Sequence, residues 1–377
     1  MLSLSYPSRR ISRCLLPIVT LLLLTVPSTS RAQSNITLRV MAANLTSGNN
    51  MRYQTPGLNI LKGLKPDVVA IQEFNATNEF GINTPLALSN MVATTFGTNF
   101  QYYRESGYSI PNGVISRWPL IASGSWVDSD TGVNDRGFAW ARIDLPGSND
   151  LYVVSIHLKA SNSQSDVDRR AAEANEITAR ISTNFPPNAW IIVAGDMNLY
   201  SDTEPAIATF KTYLSDSPVP ADQNGDVDTN AGRTSRYDRV LPSFSMTNRL
   251  IPVVMPSRTY TNGLVFDSRV YTPLTDVPPV VFGDSGASGM QHMAVVKDFL
   301  IPITTTNPPA VFPPVLTYEL PGILRWQGVS NVTYTVLAST NLTNWSSIGT
   351  ATSATASFAF TNLINGNSSQ MYRVRYP

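Results

Sequence analysis

The chain has 377 residues, 42% of them hydrophobic, with 27 basic residues against 26 acidic ones. That balance excludes strong non-specific attraction to polyanions through net charge, so a nucleic-acid substrate would need a local basic patch or a bound cation. A single cysteine, Cys14, excludes an intrachain disulfide framework.

Arg9, Arg10 and Arg13 precede the apolar run from Cys14 to Val26, and Ser30-Arg-Ala32 follows with small residues. This order predicts a secretory signal over residues 1–32, cleaved near Ala32. The apolar run is shorter than the roughly 20 residues needed to cross a bilayer, and no later stretch is long enough, so no transmembrane segment is expected in the mature chain. The segment carries four arginines, no acid and the lone cysteine; its loss would leave 23 basic residues against 26 acidic ones. The expected location is secreted, periplasmic or extracellular.

Beyond it, short runs rich in Val and Ile predict strands: Thr37 to Ala43, Asp67 to Gln72, Asn112 to Ser116, Phe138 to Leu145, Leu151 to His157, Trp190 to Ala194, Tyr237 to Leu241 and Met293 to Phe299. Two helices are expected between them. Ser165 to Ser182 has Ala171, Ala174, Ile177 and Ile181 at helical spacing, with Ser165 or Asp166 as its cap; Pro205 to Leu214 has proline in its first turn. The mixture predicts an α/β domain over 33–303. The proline-rich stretch 304–314 reads as a stiff linker. Residues 315–377 alternate over short runs separated by Gly, Asn and Ser, which predicts a small β-sandwich-like domain with no evident catalytic set. From its position alone, a role in binding a surface or polymer is expected for it.

The chain's two histidines, His157 and His292, each fall at the end of an apolar run. Asn44, Glu73, Asp196, Asn198 and Asp238 stand at similar points. In α/β sheets, side chains from distant segments converge at strand ends. Asp196 and Asn198, two positions apart, would point the same way on an extended backbone. Each histidine alone reads as a hydrogen-bonded core imidazole, and Gly195-Asp196-Met-Asn198 alone as a plain turn. The set together reads as one active site.

These segments resemble motifs of the endonuclease/exonuclease/phosphatase superfamily, and Ser235-Arg-Tyr-Asp238-Arg-Val-Leu241 is similar to its deoxyribonuclease I-like branch. The resemblance runs from about Thr37 to Phe299. It is carried by Asn44 after a first strand, Pro66-Asp-Val-Val-Ala-Ile-Gln-Glu73, Ile156-His157-Leu158, Gly195-Asp196-Met-Asn198 and Met290-Gln-His292. It implies a four-layer sandwich of two mainly antiparallel β-sheets flanked by helices, a bound Mg²⁺ (or Mn²⁺ or Ca²⁺), and hydrolysis of a phosphate ester. Asn44 and Glu73 would hold the cation through oxygen. His157 would donate to a phosphoryl oxygen, Asp238 would hold charge on His292, Asp196 would position or deprotonate water, and Asn198 would fix a phosphate oxygen. Whether Asp196 or His292 is the base stays open.

One position departs from the family. Gln291 stands where an acidic metal contact is expected; its amide oxygen still suits a hard cation but brings no charge, which implies weaker metal binding. Asp284 is a nearby substitute in sequence. Arg136 is a candidate phosphate contact beside the plainer reading of a surface-loop arginine. The run from Asp222 to Asn230 reads as an Asx-rich turn, its glycine being misplaced for a calcium loop. Tyr102, Tyr103 and Trp118 read as packing residues, with base stacking as the other role. The function expected is a secreted metal-dependent phosphodiesterase, an endonuclease acting on DNA or RNA. Two alternatives stay open: a phosphatase or sphingomyelinase-like phospholipid hydrolase, and a non-catalytic extracellular binding protein on the same fold.

Overall fold

The computed structural model describes residues 33–48, 51–77, 83–129, 135–147, 149–304, 316–319, 322–328, 330, 332–362 and 370–375. The expected signal over 1–32 and the linker beyond residue 304 lie outside them. In chain order the main body runs β1 (Gln33–Ala43), α1 (Thr55–Leu64), β2 (Val68–Ile71), α2 (Pro85–Phe96), β3 (Gln101–Arg104), β4 (Gly113–Ser116), β5 (Leu120–Trp126), β6 (Phe138–Ile143), β7 (Leu151–His157), α3 (Gln164–Asn184), β8 (Trp190–Asp196), α4 (Pro205–Phe210), β9 (Asp238–Pro242), β10 (Leu250–Ile251), β11 (Val253–Met255), β12 (Arg258–Tyr260), β13 (Leu264–Phe266) and β14 (Ala294–Thr304).

Two sheets organise these strands. One has the order β10-β14-β1-β2-β4-β3, with β13 also on β14; the other is β5-β6-β7-β8-β9. Within these sheets, β1 with β2 and β7 with β8 are parallel, and the other pairs are antiparallel. Alternation along each strand builds the layers, because successive side chains leave opposite faces. On β1, Leu38, Val40 and Ala42 enter one apolar cluster with Val153 of β7 and Ile192 of β8, while Met41 and Ala43 enter another with Ile60 and Leu64 of α1 and Leu88 and Met91 of α2. On β8, Ile191 and Val193 face Ala174 and Ile177 of α3 and Ile207 of α4. The result is the expected four layers, helices outside and two sheets face to face, and each fully buried aliphatic or aromatic side chain contributes about 1.5–3 kcal/mol.

Helix starts differ from expectation for clear reasons. Ser163, not Ser165 or Asp166, caps α3. Its hydroxyl accepts from the Asp166 backbone N–H, and the Asp166 carboxylate accepts from Ser163 N at 3.0 Å, so Asp166 is the third-residue partner in a capping box. The helix expected over 205–214 is one short turn-and-a-half, α4. Helix α1 has no counterpart in the pattern reading, because Gly57 and Gly63 break its apolar stripe. Both are there for close approach: a Cβ would sit 2.1 Å from Leu45 O at Gly57 and 2.4 Å from Val277 O at Gly63.

The C-terminal strands are β15 (Thr317–Glu319), β16 (Ile323–Gln327), β17 (Thr333–Ser339), β18 (Ser346–Thr352), β19 (Ser357–Thr361) and β20 (Met371–Arg375). They pair among themselves in two three-stranded sheets, β15-β16-β19 and β18-β17-β20. Leu324, Trp326, Tyr334, Val336 and Phe358 fill the space between, with the Trp326 and Phe358 rings stacked at 5.3 Å.

Candidate active site

The two parallel pairs deliver the site. β1 and β2 end together, as do β7 and β8, with Ala43 opposite Ile71 and His157 opposite Asp196. Asn44 follows β1 and Glu73 lies just past β2. Asn44 Nδ2 donates to Asp196 Oδ2 at 3.2 Å and reaches Glu73 Oε1 at 3.5 Å. Glu73 Oε2 accepts from Thr46 Oγ1 at 2.5 Å. All four side chains are buried. Two bends aim them: Glu73 and Asn198 hold left-handed backbones, at φ 49° and 50°. Such bends in non-glycine residues persist where surrounding contacts fix them, and they gather at functional sites. Gly195, at φ 141°, precedes Asp196 where any Cβ would meet Ile156 O at 2.1 Å.

Asp196 is the meeting point. Its Oδ1 accepts from the Asn198 backbone N–H at 2.9 Å. Its Oδ2 has four nitrogens around it: Asn44 Nδ2, Asn198 Nδ2 at 3.3 Å, His157 Nε2 at 3.2 Å and His292 Nε2 at 3.3 Å. Asn198 Nδ2 also donates to Leu158 O at 3.0 Å, so its amide is fixed in orientation. His292 Nδ1 lies 2.9 Å from Asp238 Oδ2, and the Asp238 N–H donates to Thr229 Oγ1 at 2.8 Å.

The two imidazoles carry different charge. Burial, then the nearby Arg136 guanidinium and His292, push His157 well below the usual histidine range, so it is neutral. Burial alone would lower His292 too, but the carboxylates of Asp238 and Asp196 outweigh it and hold it protonated up to about pH 10. Burial, with repulsion from Asp238, pushes Asp196 above the ordinary aspartate range against the pull of His292.

Asp196, Asp238 and His292 present ligand-type atoms within 4.8 Å of one another. In that triad both ring nitrogens of His292 are already turned to carboxylates, Nδ1 to Asp238 at 2.9 Å and Nε2 to Asp196 at 3.3 Å. Asn44 and Glu73 fit a hard cation better. Asn44 Oδ1 is buried without a hydrogen-bond partner, beside a carboxylate, and Mg²⁺ typically takes one or two carboxylates and keeps several waters.

Of the candidates from sequence, Asn44, Glu73, His157, Asp196, Asn198, Asp238 and His292 come together. Gln291 does not join these contacts; its side chain is exposed, while its backbone carbonyl accepts from Ala231 N at 2.7 Å. Asp284 takes no part in these contacts either; its Oδ2 accepts from Asn59 Nδ2 at 3.2 Å and from Val281 N at 2.9 Å. Arg136 is buried rather than a surface-loop residue, and close enough to act on His157. The 222–230 loop is an Asx turn: Asp222 Oδ1 accepts from the N–H groups of Asn224 and Asp226, and Arg233 pairs with both carboxylates at 2.9 and 3.0 Å. Tyr102 packs edge-on against Phe74, and Trp118 lies under Arg117. Thr46 and Thr229 were not foreseen. Thr46 stands two residues after Asn44, a spacing that offers a signal; nothing in the sequence marks Thr229.

A family model described as the Endonuclease/Exonuclease/phosphatase family matches residues 58–258. No curated protein matches the chain. Among solved structures, an endonuclease/exonuclease/phosphatase from Beutenbergia cavernae DSM 12333 is similar at 16% identity, over 90% of this chain and 100% of that one, with a TM-score of 0.48. Truncated TDP2 from Caenorhabditis elegans is similar at 14% identity over 70% and 97% of the two chains, with a TM-score of 0.43. Beta toxin from Staphylococcus aureus is similar at 13% identity over 69% and 99%, with a TM-score of 0.45. With a family match across more than half its length, this chain belongs to the endonuclease/exonuclease/phosphatase family, whose members are typically divalent-metal-dependent phosphoester hydrolases.

Proposed function

We propose that the protein is a secreted, divalent-metal-dependent phosphodiesterase that hydrolyses nucleic acid. The observation that carries this reading is the convergence of two imidazoles on Asp196, one of them backed by Asp238, beside Asn44 and Glu73. A divalent cation held by Glu73 and Asn44 Oδ1 would neutralise phosphoryl charge. Neutral His157 and the amide of Asn198 supply N–H donors to phosphoryl oxygens. His292, already charged, is suited to donate its Nε2 proton rather than to accept one. Asp196, lifted above the ordinary range and central, is the better base for an attacking water. The same reading takes 33–303 as the catalytic domain and 315–377 as an appended domain that binds a surface or polymer.

The test is a substrate panel with purified protein in Mg²⁺ or Mn²⁺ and in EDTA: supercoiled plasmid, RNA, bis(p-nitrophenyl) phosphate, p-nitrophenyl phosphate and sphingomyelin. Chelator-sensitive nicking of plasmid or cutting of RNA is expected. Turnover of p-nitrophenyl phosphate or sphingomyelin alone would replace the nucleic-acid reading with a phosphatase or phospholipase one. Turnover of none would leave the binding-protein reading.

A further inference from the structure

Among the buried hydroxyls that the catalytic roles leave unused is that of Tyr53, in the loop between β1 and α1. Its phenol donates to Ala43 O at 2.6 Å, with Gln72 O as the longer branch at 3.2 Å, and its oxygen accepts from Leu45 N at 3.3 Å. Ala43 and Leu45 flank Asn44. Gln72 immediately precedes Glu73. The Tyr53 backbone N–H also donates to Asn75 O at 2.9 Å, on the far side of Glu73. One residue therefore grips both segments that carry the cation ligands, and on the Glu73 segment it grips both ends.

That grip matters because Glu73 holds a left-handed backbone that an L residue leaves unless its neighbours fix it. The ring of Tyr53 belongs to the apolar cluster that holds Leu45, Leu61 and Phe74, a place a phenylalanine ring would also fill. The Gln72 N–H already joins the two strand ends through Ala43 O at 3.1 Å, and the hydroxyl adds a second tie across them from the loop. We propose that Tyr53 is a positioning residue for metal binding, its hydroxyl joining those strand ends so that Asn44 and Glu73 stand preset for one divalent cation. This rests on the assignment of Asn44 and Glu73 to the cation.

The experiment measures Mn²⁺ binding by calorimetry for the wild type, Tyr53→Phe and Glu73→Gln, with melting temperatures recorded in EDTA so that all are compared while folded. Tyr53→Phe is expected to raise the Mn²⁺ Kd about 10- to 100-fold, the usual cost of losing a partner that orients a ligand. A Tyr53→Phe protein with a lower melting temperature but wild-type Kd would overturn the proposal, leaving the hydroxyl a stabilising group only. Wild-type binding no tighter than that of Glu73→Gln would instead overturn the metal-site assignment itself. Should Tyr53→Phe fail to fold, hydrogen exchange of wild-type segment 43–53 decides. Mn²⁺ is expected to slow it, and an unchanged rate would refute the coupling.

Discussion

His157 ends β7 and His292 stands two residues ahead of β14; both are buried to the same extent, and each places Nε2 about the same distance from one oxygen of Asp196. One is neutral and the other charged. Burial acts on both in the same direction, so the difference lies in the second nitrogen. His292 Nδ1 meets Asp238, whereas His157 Nδ1 is buried without a partner and has Arg136 nearby. A second carboxylate, not depth, decides which imidazole is protonated and which is neutral.

The strongest way to break this comparison is to remove the oxygen both rings share. Asp196→Ala should lower kcat by about 10² to 10⁴, read as single-turnover hydrolysis of the best substrate, if it is the base. Retention of more than a tenth of the wild-type rate would remove Asp196 from that role. Next, Asp238→Asn should make the two rings alike. The chain has only two histidines, so the imidazole NMR signals are few. The His292 titration should move from about 10 down toward the ordinary range, with a loss of about tenfold or more in rate. An unmoved His292 titration would show that Asp196 alone holds the charge.

The His157 side carries its own buried acid. Burial, opposed by the Lys159 N–H and by Arg169, raises Glu173 to about 7. The folded state then binds this proton more tightly than the unfolded chain, so the group's contribution to stability falls as pH rises from about 4.5 through 7 and is flat above. Glu173→Gln should remove that slope, by at most about 3 kcal/mol in urea unfolding at pH 5 against pH 8. Parallel wild-type and variant curves would contradict it. The smallest effect expected is from Arg136→Gln, which should raise the His157 titration yet leave the ring neutral at pH 7, because burial is the larger cause. A His157 charged at pH 7 in that variant would make Arg136 the main determinant.

Much of the site was legible because its residues stand at the ends of apolar runs. Runs such as Leu151 to His157 and Trp190 to Ala194 carry their own signal, and the parallel pairing of β7 and β8 then sets their ends side by side. What escaped was set by contacts the local pattern does not carry. Strands β10, β11, β12 and β13 are two or three residues long, held by pairing rather than periodicity. Helix α1 hid behind glycines chosen for close approach. Gln291 was foreseen as a ligand from its place in a motif, but the chain turns its side chain outward. The charge on His292 was foreseen only through the family resemblance, and the neutrality of His157 was beyond reach, since Arg136 comes near it only through tertiary folding.

The pairing of β1 with β14 bears on how the molecule is made. Arg39 and Asp298 are partners in register and joined by ion pair, yet 259 residues apart in sequence. At about 5–20 residues per second, a ribosome takes roughly tens of seconds to bring the second strand after the first. Throughout that interval Leu38, Val40 and Ala42 lack their main neighbour, and the central sheet stays open along an apolar edge. The two-sheet body is therefore completed only once β14 has been made, and a nascent chain of this protein is a natural client for whatever binds exposed apolar strands.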